Sequence, residues 1–404
     1  MRLEPGHPLA AADLEHTVGQ ILDRRLLRDH SAPVAVAFSG GGDSLALLLT
    51  VSAWAAAAGR RLLVLTVDHR LNPASAGWTG DCAAVAARLG ASFNALAWEG
   101  RKPAAGLPAA ARSARHALLA DAAREAGARI LLMGHTADDI AEARRMRSTG
   151  STTPEPREWS PSPAWPQGRG VFLLRPLLRV GRRDIRAWLH ARGETWIEDP
   201  ANADLAYARS RARKALAEAG PVEEPELSVS PDDGAALRAL AAACRADATT
   251  GDLRVPRLAL RDTTAEARRR LVSIACLCAA GTDRPPRRRQ VAAVAARLLA
   301  ETSFVASLAG ARIEADPYRV RFRREPGEVA RGGLAPLRLA AGVTGVWDGR
   351  FEVSAQRAIE VLARPGATLP AVVREDGGFD ELDARPLVHD RLLAACGLIA
   401  REPA

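Results

Sequence analysis

Residues 34–44 read Val-Ala-Val-Ala-Phe-Ser-Gly-Gly-Gly-Asp-Ser, an order that carries chemical information. An apolar, β-favouring run enters a glycine turn and the apolar segment Leu45–Ala58 leaves it, so a strand, a tight loop and a helix N-terminus follow one another. Such a junction aims backbone N–H groups and the positive end of a helix dipole at one point, which suits an anion, above all a phosphate chain. Ser39 and Ser44 add hydroxyls, Gly40, Gly41 and Gly42 permit close backbone approach, and Asp43 is a candidate magnesium ligand. No Gly-Lys-Ser/Thr follows, which excludes a Walker A loop. Gly-x-Gly-x-x-Gly is missing, which excludes a dinucleotide fingerprint.

Four further clusters could share that site. Asp68 and His69 end a strand-like run and could contact a nucleotide, or be a turn aspartate and a surface histidine. Arg112 and Arg115 lie three apart on one helix face, where paired guanidinium groups suit a phosphate or a base edge, or simply form a solvated face. In Gly134-His135-Thr136-Ala137-Asp138-Asp139-Ile140-Ala141-Glu142, one aspartate can serve as a helix cap. Asp139 and Glu142 at i, i+3 beside His135 are better suited to holding an ammonium group. Arg209, Arg211, Arg213 and Lys214 put four cations within six residues, either a polyanion contact or a solvated helix end.

The elements that must position these groups alternate. Strands are expected in the apolar run that starts at Val34 and enters the glycine turn, and at Arg61–Val67, Ser92–Trp98 and Ile130–Met133, with helices at 45–58, Ala74–Leu89, Ala109–Ala126 and from Ala137. Alternation with short connections implies a parallel sheet covered on both faces, with ligands beyond the carboxyl ends of the strands. Ser39, Asp68-His69 and Gly134-His135 all fall on that edge. Residues 149–170, rich in Pro, Ser, Gly and Trp, read as a long surface loop. Val171–Leu178 reads as a strand, Gly181–Arg192 as an amphipathic helix with Ile185, Trp188 and Leu189 inward, and Leu205–Ala219 as a closing helix. A first domain over 1–219 is followed by a linker at 220–233. Helices at Gly234–Ala248, Thr264–Ala280 and Arg288–Ala300 then form a helical domain (234–302). A β-rich module (303–404) follows, with an arginine-faced strand at 319–323 and an Asp348-Gly349 turn.

The 404 residues, 48% apolar and 25% charged, are those of a globular protein of two or three domains. The longest apolar run, Leu45–Ala58, is short of the roughly 20 residues that span a bilayer. Met1–Pro5 lacks a secretory pattern, so a cytoplasmic protein without membrane contact is expected. Cys82, Cys244, Cys276, Cys278 and Cys396 form no Cys-x-x-Cys pair, which leaves them structural rather than ligands of zinc or an iron–sulfur cluster. The net charge of +9 points to polyanions. All basic residues except Lys102 and Lys214 are arginine, so the sign and clustering of charge are more informative than residue choice.

Ser39–Ser44 resembles the PP-loop of ATP pyrophosphatases. Together with Val67–Leu71, Ala111–His116, Gly134–Glu142, Leu174–Leu178 (Leu-Leu-Arg-Pro-Leu) and Trp196–Asn202 with its following arginines, it resembles the bacterial tRNA(Ile)-lysidine synthetase family over roughly the first 215 residues. The resemblance implies an adenine nucleotide α-hydrolase-like, Rossmann-like α/β fold. It implies ATP and Mg2+ as cofactors, with free L-lysine and the CAU-anticodon isoleucine tRNA as partners. The wobble cytidine would be adenylated and then joined to lysine. By that resemblance Ser39–Ser44 with Asp68 and His69 would bind ATP, and Asp43, Arg112, Arg115 and His135 would serve the chemistry. Asp139 and Glu142 would hold lysine, and Arg209, Arg211, Arg213 and Lys214 the tRNA. A thiolase of the same superfamily would commonly need a cysteine pair, which is missing. A non-catalytic tRNA-binding protein would not need the intact loop.

Overall fold

The computed structural model describes residues 11–151, 153, 155–162, 170–200, 204, 208–219, 231–282, 285–327, 334–364, 367–373, 378–382 and 384–403. The residues divide into two compact units, one of 1–164, 170–226 and 400–404, the other of 165–169 and 227–399. Residues 1–5, where no secretory pattern is found, Asn202 and residues 220–230 of the expected linker lie outside the described residues.

The first unit begins with α1 (Ala11–Arg25), β1 (Val34–Ala37), α2 (Gly42–Ala57), β2 (Leu62–Asp68), α3 (Ser75–Arg88) and β3 (Ser92–Ala97). It continues with α4 (Leu107–Glu125), β4 (Ile130–Met133), α5 (Ala137–Ser148), β5 (Trp159–Pro161), β6 (Phe172–Leu174), α6 (Arg182–Ala191) and α7 (Ala208–Ala219). The sheet runs β3-β2-β1-β4-β6-β5, with every pairing parallel except that of β5 on β6. Val36 of β1 sits between Val64 and Leu132, with the apolar runs of β1 and β4 buried on both faces. α2 is apolar nearly all round because it is enclosed, touching α1, α6, β1 and β4. α6 buries Ile185, Trp188 and Leu189, the face expected from their spacing.

Two expectations are corrected here. Strand β6 ends at Leu174 rather than Leu178, because Arg175 and Pro176 leave the ladder. Within residues 149–170, Trp159–Pro161 forms an antiparallel edge strand, and the Trp159 ring stacks on Phe172 at 4.9 Å. Proline is admitted there because an edge strand need not use that N–H. Residues 163–169 of this segment lie outside the described residues.

The second unit comprises α8 (Pro231–Ala243), β7 (Arg245–Ala246), β8 (Leu253–Pro256), α9 (Arg257–Arg261), α10 (Ala265–Ala280) and α11 (Arg288–Ala300). Then come β9 (Phe304–Leu308), β10 (Ala311–Ala315), β11 (Arg319–Arg324), β12 (Leu337–Leu339), β13 (Thr344–Trp347), β14 (Phe351–Ser354), β15 (Ile359–Ala363), β16 (Pro370–Val373), β17 (Phe379–Glu381), β18 (Ala384–Pro386) and α12 (Val388–Ala395). Antiparallel sheets lie toward the C-terminus, as expected. The boundary expected at residue 302 does not separate helices from strands, however. β7 and β8 precede it and join β9–β11 in one sheet, β7-β8-β11-β10-β9. α8, α10 and α11 share a single buried cluster with that sheet. The last residues of the expected linker, 231–233, instead open α8. Asp348 and Gly349, with φ of +49° and +64°, turn the β13–β14 hairpin. All five cysteines are free and buried, and burial pushes the Cys82 thiol to about 11 and that of Cys244 to about 12. No helix among the described residues is long and apolar enough to cross a membrane.

Candidate active site

Strand β1 leads into the glycine loop through Phe38 and Ser39. Gly40 takes φ of +81°, and a Cβ there would run into the side chain of Ile197. The Ile197 amide donates to the Gly40 carbonyl at 3.0 Å, so the segment before α7 is fastened to the loop. Gly41 caps α2 in an extended conformation, leaving the first-turn amides without intrahelical acceptors. The Ser44 hydroxyl donates to the Gly41 carbonyl at 2.8 Å and lies 3.1 Å from the Ser39 hydroxyl. Beside this loop runs the one after β4: a Cβ on Gly134 would stand 2.9 Å from the Asp43 carbonyl oxygen. The two loops therefore meet where the strand order reverses across β1, the usual ligand crevice of such sheets.

An acidic end of the site is built from α5. Asp139 accepts the Thr136 backbone N–H at 2.7 Å, as the carboxylate of a capping box. Asp138 accepts the Arg182 backbone N–H at 2.7 Å, joining α5 to the start of α6. Glu142, 1% exposed, is met by Arg182 at 3.2 Å, Arg209 at 2.8 Å and Arg213 at 2.8 Å. Arg209 also reaches Asp139 at 3.0 Å, and Arg182 reaches Asp43 at 3.1 Å. Burial alone would raise the Glu142 carboxyl, but the Arg213 hydrogen bond and the surrounding guanidinium groups hold it below its ordinary value. Burial wins at Asp43, whose carboxyl is raised despite Arg182.

The other end is cationic, and Asp139, already paired with Arg209, offsets it only in part. Arg112 and Arg115 project from α4, Arg175 from the end of β6 and His135 from the end of β4, and none of the three arginines has an ion pair among the described residues. The Arg115 Nε and both ring nitrogens of His116 are buried without hydrogen-bond partners. Burial and the mutual repulsion of these arginines push Arg115 down to about 10 and Arg175 to about 9. His116 falls to about 2 for the same two reasons, so its ring is neutral. Largely desolvated cations that outnumber the acid acting on them are costly unless an anion completes the group.

The remaining expected residues divide. The Asp68 carboxylate accepts the Arg70 N–H at 2.7 Å, which is its turn role. The His69 ring lies edge-on to Trp98 at 6.1 Å, with a buried, unpartnered Nδ1. Arg211 and Lys214 are exposed on α7, whereas Arg209 and Arg213 turn inward to the acids. Sequence reasoning missed Arg182, although a cation in the first turn of a helix opposes the dipole and marks a special role. It also left Arg175 without a role, although a charge inside the apolar run Phe172–Leu178 is a similar signal.

The family model described as a PP-loop domain matches residues 11–219. A tRNA(Ile)-lysidine synthase from Caulobacter vibrioides is 46% identical, covering 94% of this chain and 97% of its own length. The tRNA(Ile)-lysidine synthase of Hyphomonas neptunium is 35% identical over 81% of this chain and 89% of its own length. Among solved structures, the U34-tRNA thiolase NcsA of Methanococcus maripaludis, 16% identical, covers 51% of this chain and 72% of that chain with a TM-score of 0.42. From the PP-loop domain and the nearly full-length identity to these synthases, the chain belongs to the tRNA(Ile)-lysidine synthase family of ATP-using tRNA-modifying ligases.

Proposed function

We propose that this cytoplasmic enzyme joins lysine to C2 of the wobble cytidine in the CAU-anticodon isoleucine tRNA. The cytidine O2 attacks the α-phosphorus of ATP and pyrophosphate leaves. The lysine ε-amine then attacks C2, the C–O bond breaks and AMP departs. One observation carries the reading: the glycine loop is flanked by a buried carboxylate pair that holds cations and by a partly buried group of cations with no ion pair among the described residues.

In that reading the α2 amides, Ser39 and Ser44 cradle the phosphates, with Asp68 and His69 toward the nucleoside. Arg112 and Arg115 meet the target nucleotide and the developing phosphate charge. Glu142 and Asp139 receive the lysine ammonium in place of an arginine. Arg209 and Arg213 are the ones to yield, since their side chains are 37% and 40% exposed against 15% for Arg182. Once released, they stand with Arg211 and Lys214 to meet the tRNA backbone.

Among the described residues no three His, Cys, Asp or Glu side chains converge on a metal cage. One carboxylate supplemented by phosphate oxygens and water is ordinary for magnesium, so Asp43 fits as its holder. The ion, when bound, supplies charge neutralisation to the triphosphate. The test is transfer of labelled lysine, with ATP and magnesium, into the CAU-anticodon isoleucine tRNA, alongside lysine-dependent pyrophosphate release. Label entering no tRNA, while sulfur or ammonia transfer succeeds, overturns the reading.

A further inference from the structure

Arg175 and His135 are both buried, 4% and 8% exposed, and the Arg175 Nε lies 3.3 Å from the His135 Nδ1. A guanidinium has donors and no acceptor, so the Nδ1 that faces it must present a lone pair. A neutral ring then carries its proton on Nε2. A doubly protonated ring would set two N–H groups head to head, amid Arg112, Arg115, Arg175 and Arg209. Those charges, after burial, hold His135 well below the ordinary histidine value.

Arg175 is itself fixed. Its Nη1 donates to the Arg157 carbonyl at 2.7 Å and to the Ser160 hydroxyl at 3.2 Å, and its backbone N–H donates to the Glu158 carbonyl at 2.8 Å. All three partners lie in β5 or the two residues that lead into it. The His135 backbone is held in turn by a bond from its N–H to the Met133 carbonyl at 2.9 Å. The His135 Nε2 has no partner among the described residues, yet it is not one of the sealed, orphaned nitrogens as those of His116 are.

We propose that Arg175 is a positioning residue that fixes His135 as the tautomer protonated on Nε2, so that its ring donates a hydrogen bond to the phosphate under attack and does not serve as a base. The donor role rests on the function proposed above, while the tautomer rests on the geometry alone. The β5 edge hairpin thereby becomes part of the site, as the support for Arg175.

Nitrogen NMR of the full-length, 15N-histidine-labelled protein tests it, with His135→Gln identifying the resonances. The expected ring has a protonated Nε2 and a bare Nδ1, and Arg175→Met, which removes the donor, spreads it over both tautomers. Arg175→Lys, which keeps a donor, preserves the Nε2–H form. In activity, Arg175→Met slows tRNA-dependent pyrophosphate release about a hundredfold at saturating substrates, with the lysine KM little changed. His135→Gln, which keeps a neutral N–H donor, retains more activity than His135→Ala. A wild-type ring protonated on Nδ1, or an unaltered spectrum in Arg175→Met, overturns the inference. The wild-type spectrum decides the tautomer even if that variant fails to fold. The expected tautomer in a protein that transfers no lysine would refute the proposed function and leave the tautomer standing.

Discussion

Glu142 is a buried carboxylate ringed by positive charge. Three guanidinium groups converge on one buried carboxylate, so removing that charge strips the ammonium subsite without emptying its volume. Glu142→Gln is expected to raise the lysine KM by about ten- to a hundredfold, the worth of about 1.5–3 kcal/mol for a charged hydrogen bond. The ATP KM should move much less, since Glu142 belongs to α5 and not to the glycine loop. Initial rates with each substrate varied in turn settle the matter, and an unchanged lysine KM would sink the ammonium role. At this scale the two clusters were legible, because the members of Ser39–Ser44 lie close together in one segment and His135, Asp139 and Glu142 in another. What could not be read was which cation faces which acid. Arg182 reaches Asp43 across 139 positions, and Arg213 reaches Glu142 across 71.

Among the elements, the parallel strands and their helices were readable because their apolar runs are long and bounded by glycine or polar turns. The β5 hairpin was not, since Trp159-Ser160-Pro161 has neither alternation nor length. Its order comes from tertiary partners. The Glu158 carboxylate takes hydrogen bonds from Arg24 at 2.7 Å and Arg25 at 2.9 Å, both on α1, and the Arg25 guanidinium lies 5.6 Å from the Trp159 ring centre. Burial works to raise this carboxyl, but the two arginines outweigh it and leave it below the ordinary 4.5. A depressed folded-state value adds stability that is complete above 4.5 and lost as pH falls through the lower, folded value. Glu158→Gln should therefore cost about 1 kcal/mol at neutral pH, and the gap to the parent should close in acid. Urea melts across a pH series measure it. A gap that is constant with pH, or that widens in acid, contradicts the role assigned to this pair.

On the scale of the whole chain, the first unit is completed by residues from the far end of the sequence. Glu402, 3% exposed, accepts from Arg60 at 2.9 and 3.0 Å and from the Leu27 N–H at 2.9 Å, while its own N–H donates to the Arg25 carbonyl at 2.7 Å. The Arg60 guanidinium is otherwise bound only to the carbonyls of Leu27 and Ala32 among the described residues. No local pattern could have joined two residues 342 positions apart, just as none joined β8 to β11 across the expected domain boundary. Periodicity reports what a segment buries, not which distant segment covers it. Removing one partner of a buried ion pair leaves the other charge desolvated and uncompensated, at about 3–5 kcal/mol. Glu402→Ala should lose that much from the first unit and weaken amide-exchange protection in β2, which begins two residues after Arg60, and in β1, whose Val34 N–H donates to the Arg61 carbonyl. Glu402→Gln, which keeps the shape and one acceptor oxygen but not the charge, should fall between it and the parent. If Glu402→Ala unfolds at the parental urea concentration with β1 and β2 equally protected, the C-terminal residues merely rest against the unit and do not hold it together.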